Sequence, residues 1–164
     1  MARHHRVSTI SCAAIRHNRN NCRDHYRDQH SRTIDMVMAS RVFLAIAAIL
    51  GGLAVAGGAF ASHALKTKLS DRALEIFETG VRYQMYHAIA LLLVALLLTR
   101  AQTGQALLTT TGSAFIAGVV IFSGSLYALS FSGIKWLGAI TPIGGVAFLI
   151  GWGCLAIAAI GLKV

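Results

Sequence analysis

Four long runs of the chain contain no Asp, Glu, Lys or Arg, and they dominate the pattern of polar and apolar positions. A membrane-spanning helix needs about 17–25 mainly apolar residues, so each run can cross a bilayer once. Helices satisfy their own backbone hydrogen bonds in lipid, which favours helices for all four runs. The pattern predicts an all-α integral membrane bundle of four transmembrane helices. The predicted helices are residues 42–64, 83–98, 107–131 and 136–162.

The segment between the first two predicted helices is amphipathic. Lys66–Arg82 contains all three acidic residues found after position 36. Ser70 is expected to cap a helix here, because its hydroxyl can accept a hydrogen bond from the first turn. A helix from Ser70 to Thr99 would be about 45 Å long, whereas the hydrocarbon core is about 30 Å thick. We therefore expect the first third of this helix to lie at or outside the interface, with a bend at Gly80.

Small residues are frequent in the predicted helices, and several stand four positions apart. This spacing lets helix backbones approach closely in lipid, so we expect contacts there, either within the chain or in a homo-oligomer. The expected packing residues are Gly52, Ala56, Gly58, Gly118, Gly124, Gly144 and Gly145. Ala59-Phe60-Ala61 also resembles a signal-peptide cleavage site. The apolar run before it is longer than a signal peptide usually has, which favours a retained helix.

Residues 1–35 differ in composition from the rest of the chain. They are rich in Arg, His, Asn and Ser and show no apolar periodicity, which predicts either a disordered segment or a spurious N-terminal extension. In the second case translation starts at Met36 or Met38. Residues 36–164 are the predicted four-helix transmembrane domain. Cys12 and Cys22 lack the paired spacing of a structural zinc site, so no metal is predicted.

The formal net charge of +9 is concentrated near the N-terminus. Seven of the 15 basic residues precede Met36, and eight basic minus three acidic residues leave +5 afterwards. Cations at membrane flanks meet anionic lipid headgroups, so this charge indicates the lipid bilayer as a partner and does not indicate nucleic acid. After Met36, the distribution of basic residues favours a cytoplasmic location for the first and third loops. Residues 1–35, if translated, reverse that preference.

Four crossings place both termini on one side of the membrane, called side A, and the first and third loops on the other, side B. Connectivity then collects many polar residues at side B, where polar groups usually face the bundle interior or water. This candidate polar cluster comprises His63, Glu78, Arg82, Tyr83, Gln84, Tyr86, His87, Ser123, Ser125, Tyr127 and Thr141. Within it, Glu78 and Arg82 are expected to pair at i,i+4 spacing.

Two functions fit this cluster. The first is a non-enzymatic membrane component that contacts a partner protein or lipid through the cluster. The alternative is a small transport or proton-handling component that uses His63 and His87. A purely structural role also fits, because Tyr anchors helices at the interface and Ser and Thr pack membrane helices together. The sequence shows no Ser-His-Asp constellation, phosphate loop or paired membrane carboxylates, so neither an enzyme nor a cofactor is predicted.

Four stretches resemble a known family of small membrane proteins. They are GGAFASHALK at 57–66, FETGVRYQMYHAIALL at 77–92, FSGSLYALSFSG at 122–133 and GAITPIGGVAFLIGW at 138–152. In this order they are similar to the YgdD-type family, the domain of unknown function numbered 423, over about residues 38–164. Ala61 and Ser62 stand where the family usually has Gly-Ala. The resemblance implies a multi-pass inner-membrane protein of about four helices and carries no activity with it.

Overall fold

The computed structural model describes the backbone of residues 19–162, and side chains from residue 27 onward except 28, 29, 32 and 33. The chain divides into two units, residues 1–35 and residues 36–164, and the fold below is that of the second. The predictions for Cys12, for the Cys22 side chain and for the first 18 residues lie outside the part of the chain that the structure describes. The predicted division at residue 36 and the choice of start codon remain predictions.

The described chain is built from helices joined by short turns. Two of these helices continue directly into a π-helical turn, in which the hydrogen bonds span five residues instead of four. In chain order the elements are α1 (Arg19–Phe60), a π turn (Ala61–Leu65), α2 (Asp71–Arg100), α3 (Gln105–Gly118), a second π turn (Val119–Ser123), α4 (Gly124–Ser132) and α5 (Leu137–Gly161).

Four of the resulting spans are long and apolar enough to cross a membrane. They are Ile34–Leu65, Asp71–Arg100, Gln105–Ser132 and Leu137–Gly161. The predicted all-α bundle of four transmembrane helices is confirmed. The third and fourth spans begin and end within two residues of the predicted ranges 107–131 and 136–162. The first span begins eight residues before the predicted residue 42, and the second begins twelve residues before the predicted residue 83.

Helix α2 begins at Asp71, where Ser70 caps it as the sequence predicts. The backbone of Ser70 is extended and its Oγ accepts a hydrogen bond from the Ala73 N–H. The helix then runs uninterrupted to Arg100, and the predicted bend at Gly80 stays a prediction. Gly80 lies under the ring of Tyr127, where a Cβ would stand 2.8 Å from Cε1. The missing side chain of Gly80 thus allows the Tyr127 ring to pack closely against α2.

Helix α2 is the central helix of the bundle. Half of its membrane-spanning part is buried within the chain, against 17% for α1. It packs against α3 and α4 directly, and against α1 through an apolar cluster at side B that includes Phe77 and Val81. A larger cluster around Leu91, Val94 and Phe115 fills the side A half. The outer surfaces of α1 and α5 are apolar, as a bilayer requires.

Candidate functional site

Gln84 joins three spans through its side-chain amide. The amide nitrogen donates to the Leu50 carbonyl in α1 at 2.8 Å. The amide oxygen accepts from the Tyr127 hydroxyl in α4 at 2.9 Å. Only 5% of Gln84 is exposed, and both bonds are at least partly buried. A buried amide that is bonded at both ends stabilises the helix arrangement and leaves little capacity for a ligand.

Two serines attach the third span to the backbone of α2. Ser123, at the end of the second π turn, donates to the Gly80 carbonyl at 2.8 Å. Ser130, two turns further along, donates to the Ala73 carbonyl at 2.7 Å. Both serines are buried. Because hydroxyls bonded between helices act as packing contacts in membranes, we interpret this pair as structural.

Ser125 and Thr141 make the corresponding connection between α4 and α5. Their hydroxyl oxygens lie 2.8 Å apart, and Ser125 also donates to the Phe122 carbonyl of its own helix at 2.9 Å. One turn away Gly144 lies directly against the Phe122 backbone, so that a Cβ there would stand 2.8 Å from Phe122 Cα. The hydroxyl pair therefore lies at a very close helix–helix approach.

His87 is the most enclosed titratable residue of the predicted cluster. Its Nδ1 lies 2.8 Å from the Tyr83 carbonyl, and its Nε2 lies 3.3 Å from the Trp152 indole Nε1. A carbonyl can only accept and an indole N–H can only donate. The ring is therefore the neutral tautomer with its proton on Nδ1, and both nitrogens are bonded. The ring also stacks on Phe148, with centroids 3.5 Å apart.

A cleft of about 470 Å³ runs beside this histidine between α2, the second π turn and α5. Its walls are largely aromatic, and the ring centroids of Tyr83 and Phe122 lie 4.6 Å apart. Trp152, 47% exposed, borders the cleft. The sequence interpretation missed Trp152 and the phenylalanines. A single tryptophan inside an apolar helix was the available signal, since a partly buried indole N–H usually has an acceptor.

The remaining members of the predicted cluster lie on the outside of the bundle. Glu78, Arg82 and Tyr86 are exposed on the outer face of α2. The Arg82 guanidinium donates to the Glu78 backbone carbonyl and to Thr79 Oγ1, both at 3.4 Å. The contact of Arg82 with Glu78 in this structure is thus to the backbone, where the sequence predicted a carboxylate. An i,i+3 ion pair that the structure does contain joins Arg72 and Glu75 at 2.8 Å.

His63 is exposed in the first π turn and lies far from His87. The Gln84–Leu50 hydrogen bond and the Gly57–Val81 contact set the antiparallel register of α1 and α2. In that register His63 is level with about position 75. Twelve residues separate that position from His87, or about 18 Å along the helix axis. The structure does not bring the two histidines together.

The predicted packing residues also divide into two groups. Gly118 lies against the Phe148 ring and Gly144 against the Phe122 backbone, and Gly58 and Gly145 make ordinary contacts. The others are exposed, and Gly52 and Gly124 have open space where a Cβ would stand. Close approaches that the sequence interpretation missed occur at Gly80, Gly112 and Gly151. Gly52, Ala56 and Gly124 therefore remain predictions for contacts outside the chain.

The described residues contain no group of three or more His, Cys, Asp or Glu side chains that could hold a metal ion. Across the same part of the chain, every buried side-chain nitrogen and oxygen has a hydrogen-bond partner. The interior of the predicted cluster is therefore a completed hydrogen-bond network.

Comparison with known proteins decides the family. The family described as "Protein of unknown function (DUF423)" matches residues 57–145. This chain belongs to the DUF423 family. The resemblance inferred from the four sequence motifs is confirmed.

Named relatives of this DUF423 protein are membrane proteins. It is 48% identical to the UPF0382 membrane protein YwdK of Bacillus subtilis over 120 residues, 73% of this chain and 97% of the relative. It is 39% identical to the UPF0382 inner membrane protein YgdD of Escherichia coli over 127 residues, 77% of this chain and 95% of the relative. Neither name describes an enzyme. No solved structure matches the chain.

The DUF423 motifs meet in the folded chain. The motif at 77–92 contributes Gln84 and His87, the motif at 122–133 contributes Ser123 and Tyr127, and the motif at 138–152 contributes Trp152. These residues form the interior hydrogen bonds described above. Three of the four stretches that carry the family resemblance thus meet in the interior of the bundle. The chain is a multi-pass membrane protein of this family.

Proposed function

We propose that this DUF423 protein is a non-enzymatic, multi-pass component of the cell inner (plasma) membrane that contacts a partner protein through the outer face of α2. The inner-membrane location is supported by the name of the Escherichia coli relative, which is an inner membrane protein. The contact role is supported by the separation of the polar residues into a bonded interior set and an exposed set. Only the exposed set has groups that can meet another molecule.

The observation that carries this proposal is the position of Glu78 and Arg82. Both are exposed on α2, at a level where the neighbouring helices expose apolar side chains. The Gly57–Val81 contact places Val55 of α1 at this level, and Val55 is 65% exposed. Charged groups that face lipid at such a level are costly unless they are paired or reach water. A partner protein supplies pairing groups.

The proton-handling alternative is less well supported by the geometry. It needs two histidines that act together, or one with a nitrogen free to exchange a proton. His63 and His87 lie about 18 Å apart along the helix axis, and both nitrogens of His87 are bonded. An enzymatic role likewise has no open polar site in the described interior. The non-enzymatic role needs neither a cooperating pair of histidines nor an open polar site.

The test is site-specific photocrosslinking in native membranes. A photoreactive amino acid replaces Tyr86 on the outer face of α2, and the matched control replaces Val55 on the exposed face of α1. Both positions are more than half exposed. We expect a discrete protein adduct from position 86 and only lipid adducts from position 55. Lipid adducts alone at both positions would contradict the proposed contact with a protein.

A paired substitution separates the alternative. His63→Ala together with His87→Phe removes both imidazoles while an aromatic ring is kept against Phe148. We expect the variant to insert and to retain the position-86 adduct. Loss of a pH-linked growth phenotype in an abundant, inserted variant that still forms the adduct would favour proton handling instead.

A further inference from the structure

The outer face of α2 is a single continuous stripe from side B to side A. Its members alternate three and four residues apart, which is the spacing of helices that pack side by side. They are Glu75, Thr79, Arg82, Tyr86, Ile89, Leu93 and Leu96, and all except the half-buried Thr79 are exposed. A stripe that faces lipid has the same spacing as one that packs against another helix. The charges at the side B end distinguish a helix-packing stripe from a lipid-facing one.

Glu78 and Arg82 lie well past the N-terminal end of α2. Arg82 is eleven residues from the start of α2, which is about 16 Å along the axis. The neighbouring spans are exposed and apolar at this level. On α1, Leu53 and Val55 are more than half exposed, and on α5, Ile143 is 59% exposed. A flat bilayer that covers these apolar residues also covers the charges.

Glu78 and Arg82 are complementary across a two-fold axis. Among the described residues, the Glu78 carboxylate makes no hydrogen bond or ion pair, and Arg82 bonds only a backbone carbonyl and a hydroxyl of its own helix. A two-fold axis along the membrane normal places the same level of two α2 helices face to face. Residue i of one copy then meets residue j of the other, and j meets i. Arg82 of each copy can therefore pair with Glu78 of the second copy, one turn away.

The rest of the stripe supplies apolar contact for the same partner. Below the charges the face continues as Tyr86, Ile89, Leu93 and Leu96. An open groove of about 510 Å³ lies along its side A end, lined by Leu93, Leu96, Leu97, Thr99 and Arg100. An anionic lipid headgroup would satisfy Arg82 and leave Glu78 unpaired. A face with both signs one turn apart fits a second copy better than it fits lipid.

We propose that the outer face of α2 is a homodimer interface, in which Glu78 and Arg82 pair reciprocally between two copies and Tyr86, Ile89, Leu93 and Leu96 pack below them. This inference rests on the proposed function and names its partner as a second copy of this chain. Reciprocal pairing would neutralise both charges where they stand.

Cysteine crosslinking of the full chain in native membranes tests this interface. Cys12, Cys22 and Cys154 are replaced by Ser, and a single cysteine is introduced as Tyr86→Cys or Leu93→Cys. The matched controls are Val55→Cys and Ile143→Cys, at exposed positions on α1 and α5. In a two-fold dimer, only a residue that lies in the interface can come close to the same residue of the second copy. We expect an oxidation-dependent dimer from positions 86 and 93, at several times the yield from positions 55 and 143.

Charge exchange then tests the pairing itself. In the Tyr86→Cys background, Glu78→Arg or Arg82→Glu gives the face two like charges at the contact. We expect either change to lower the dimer yield several-fold at equal membrane abundance. The exchange Glu78→Arg with Arg82→Glu restores the reciprocal pair and should restore the yield. Yields that are unchanged by the single reversals, or a double exchange that fails to recover, would overturn the proposed pairing.

The outcomes also separate this inference from the proposed function. If position 86 gives no dimer above the controls and its photoadduct is a different protein, the homodimer is wrong and the proposed contact with a partner protein survives. If position 86 yields only lipid adducts and no dimer, both fail. If the photoadduct has the mass of two copies of the chain, both are supported.

Discussion

The two faces of α2 present a contrast within one helix. The inner face carries Gln84 and His87, and every polar atom of these side chains is bonded within the chain. The outer face carries Glu78 and Arg82, and the Glu78 carboxylate has no partner among the described residues. Both faces looked alike in sequence, as polar residues preceding an apolar run. The difference teaches that polarity near a membrane helix has two separate uses, one within the fold and one outside it.

The largest expected loss of stability comes from disturbing the close contact between Gly144 and the Phe122 backbone. Gly144→Ala places a Cβ against the Phe122 backbone, and rotation of a side chain cannot relieve that contact. We expect the free energy of unfolding to fall by about 2–3 kcal/mol. Gly124→Ala is the matched control, because its Cβ enters open space. Unfolding in mixed micelles measures both, and equal stability of the two variants would contradict the close approach of α5 to the second π turn.

The next effect concerns the buried amide. Gln84→Leu leaves the Leu50 carbonyl and the Tyr127 hydroxyl without this partner, so we expect a loss of about 1–2 kcal/mol, as two interhelical bonds in a membrane protein would give. Tyr127→Phe should cost less, and in the double variant the two losses should not add. Tyr83→Phe is the control, since its hydroxyl makes no hydrogen bond among the described residues. Additive losses for Gln84 and Tyr127 would argue against their bond.

The histidine gives a smaller but more specific readout. The hydrogen bonds require the neutral His87 ring with its proton on Nδ1. Solid-state NMR of the nitrogen-labelled ring should show a protonated Nδ1 and an unprotonated Nε2 in the wild type. Trp152→Phe removes the donor to Nε2, and we expect the Nε2 signal to shift with a stability loss of about 0.6 kcal/mol. A protonated Nε2 in the wild type would contradict the arrangement.

The outer face should have the smallest effect on the fold. Arg82→Gln and Glu78→Gln change exposed groups, so we expect the unfolding free energy of the isolated monomer to change by no more than about 0.5 kcal/mol. The dimer yield of the Tyr86→Cys protein should nevertheless fall. A loss of more than 1 kcal/mol in dilute detergent would show that these residues stabilise the monomer, and the contrast between the faces would disappear.

The sequence alone determined the fold class and the number of spans. Four charge-free apolar runs in a bilayer allow few alternatives to four helices, because each backbone must satisfy its own hydrogen bonds. The Ser70 cap was also predictable, because it depends on a hydrogen bond between residues only three positions apart. The family followed from four short motifs. These are local properties, and local sequence contains the information for them.

Only the tertiary structure decided which polar residues work together. The sequence placed His63 and His87 at one membrane side, but the register of α1 against α2 separates them by about 18 Å. The same register directs Gln84 inward to Leu50, and α5 brings Trp152 to His87 from 65 positions away. Which face of a helix is covered depends on its neighbours, and a helix's own residues do not specify them. The division of one polar segment into a bonded interior and an open exterior is therefore a property of the bundle.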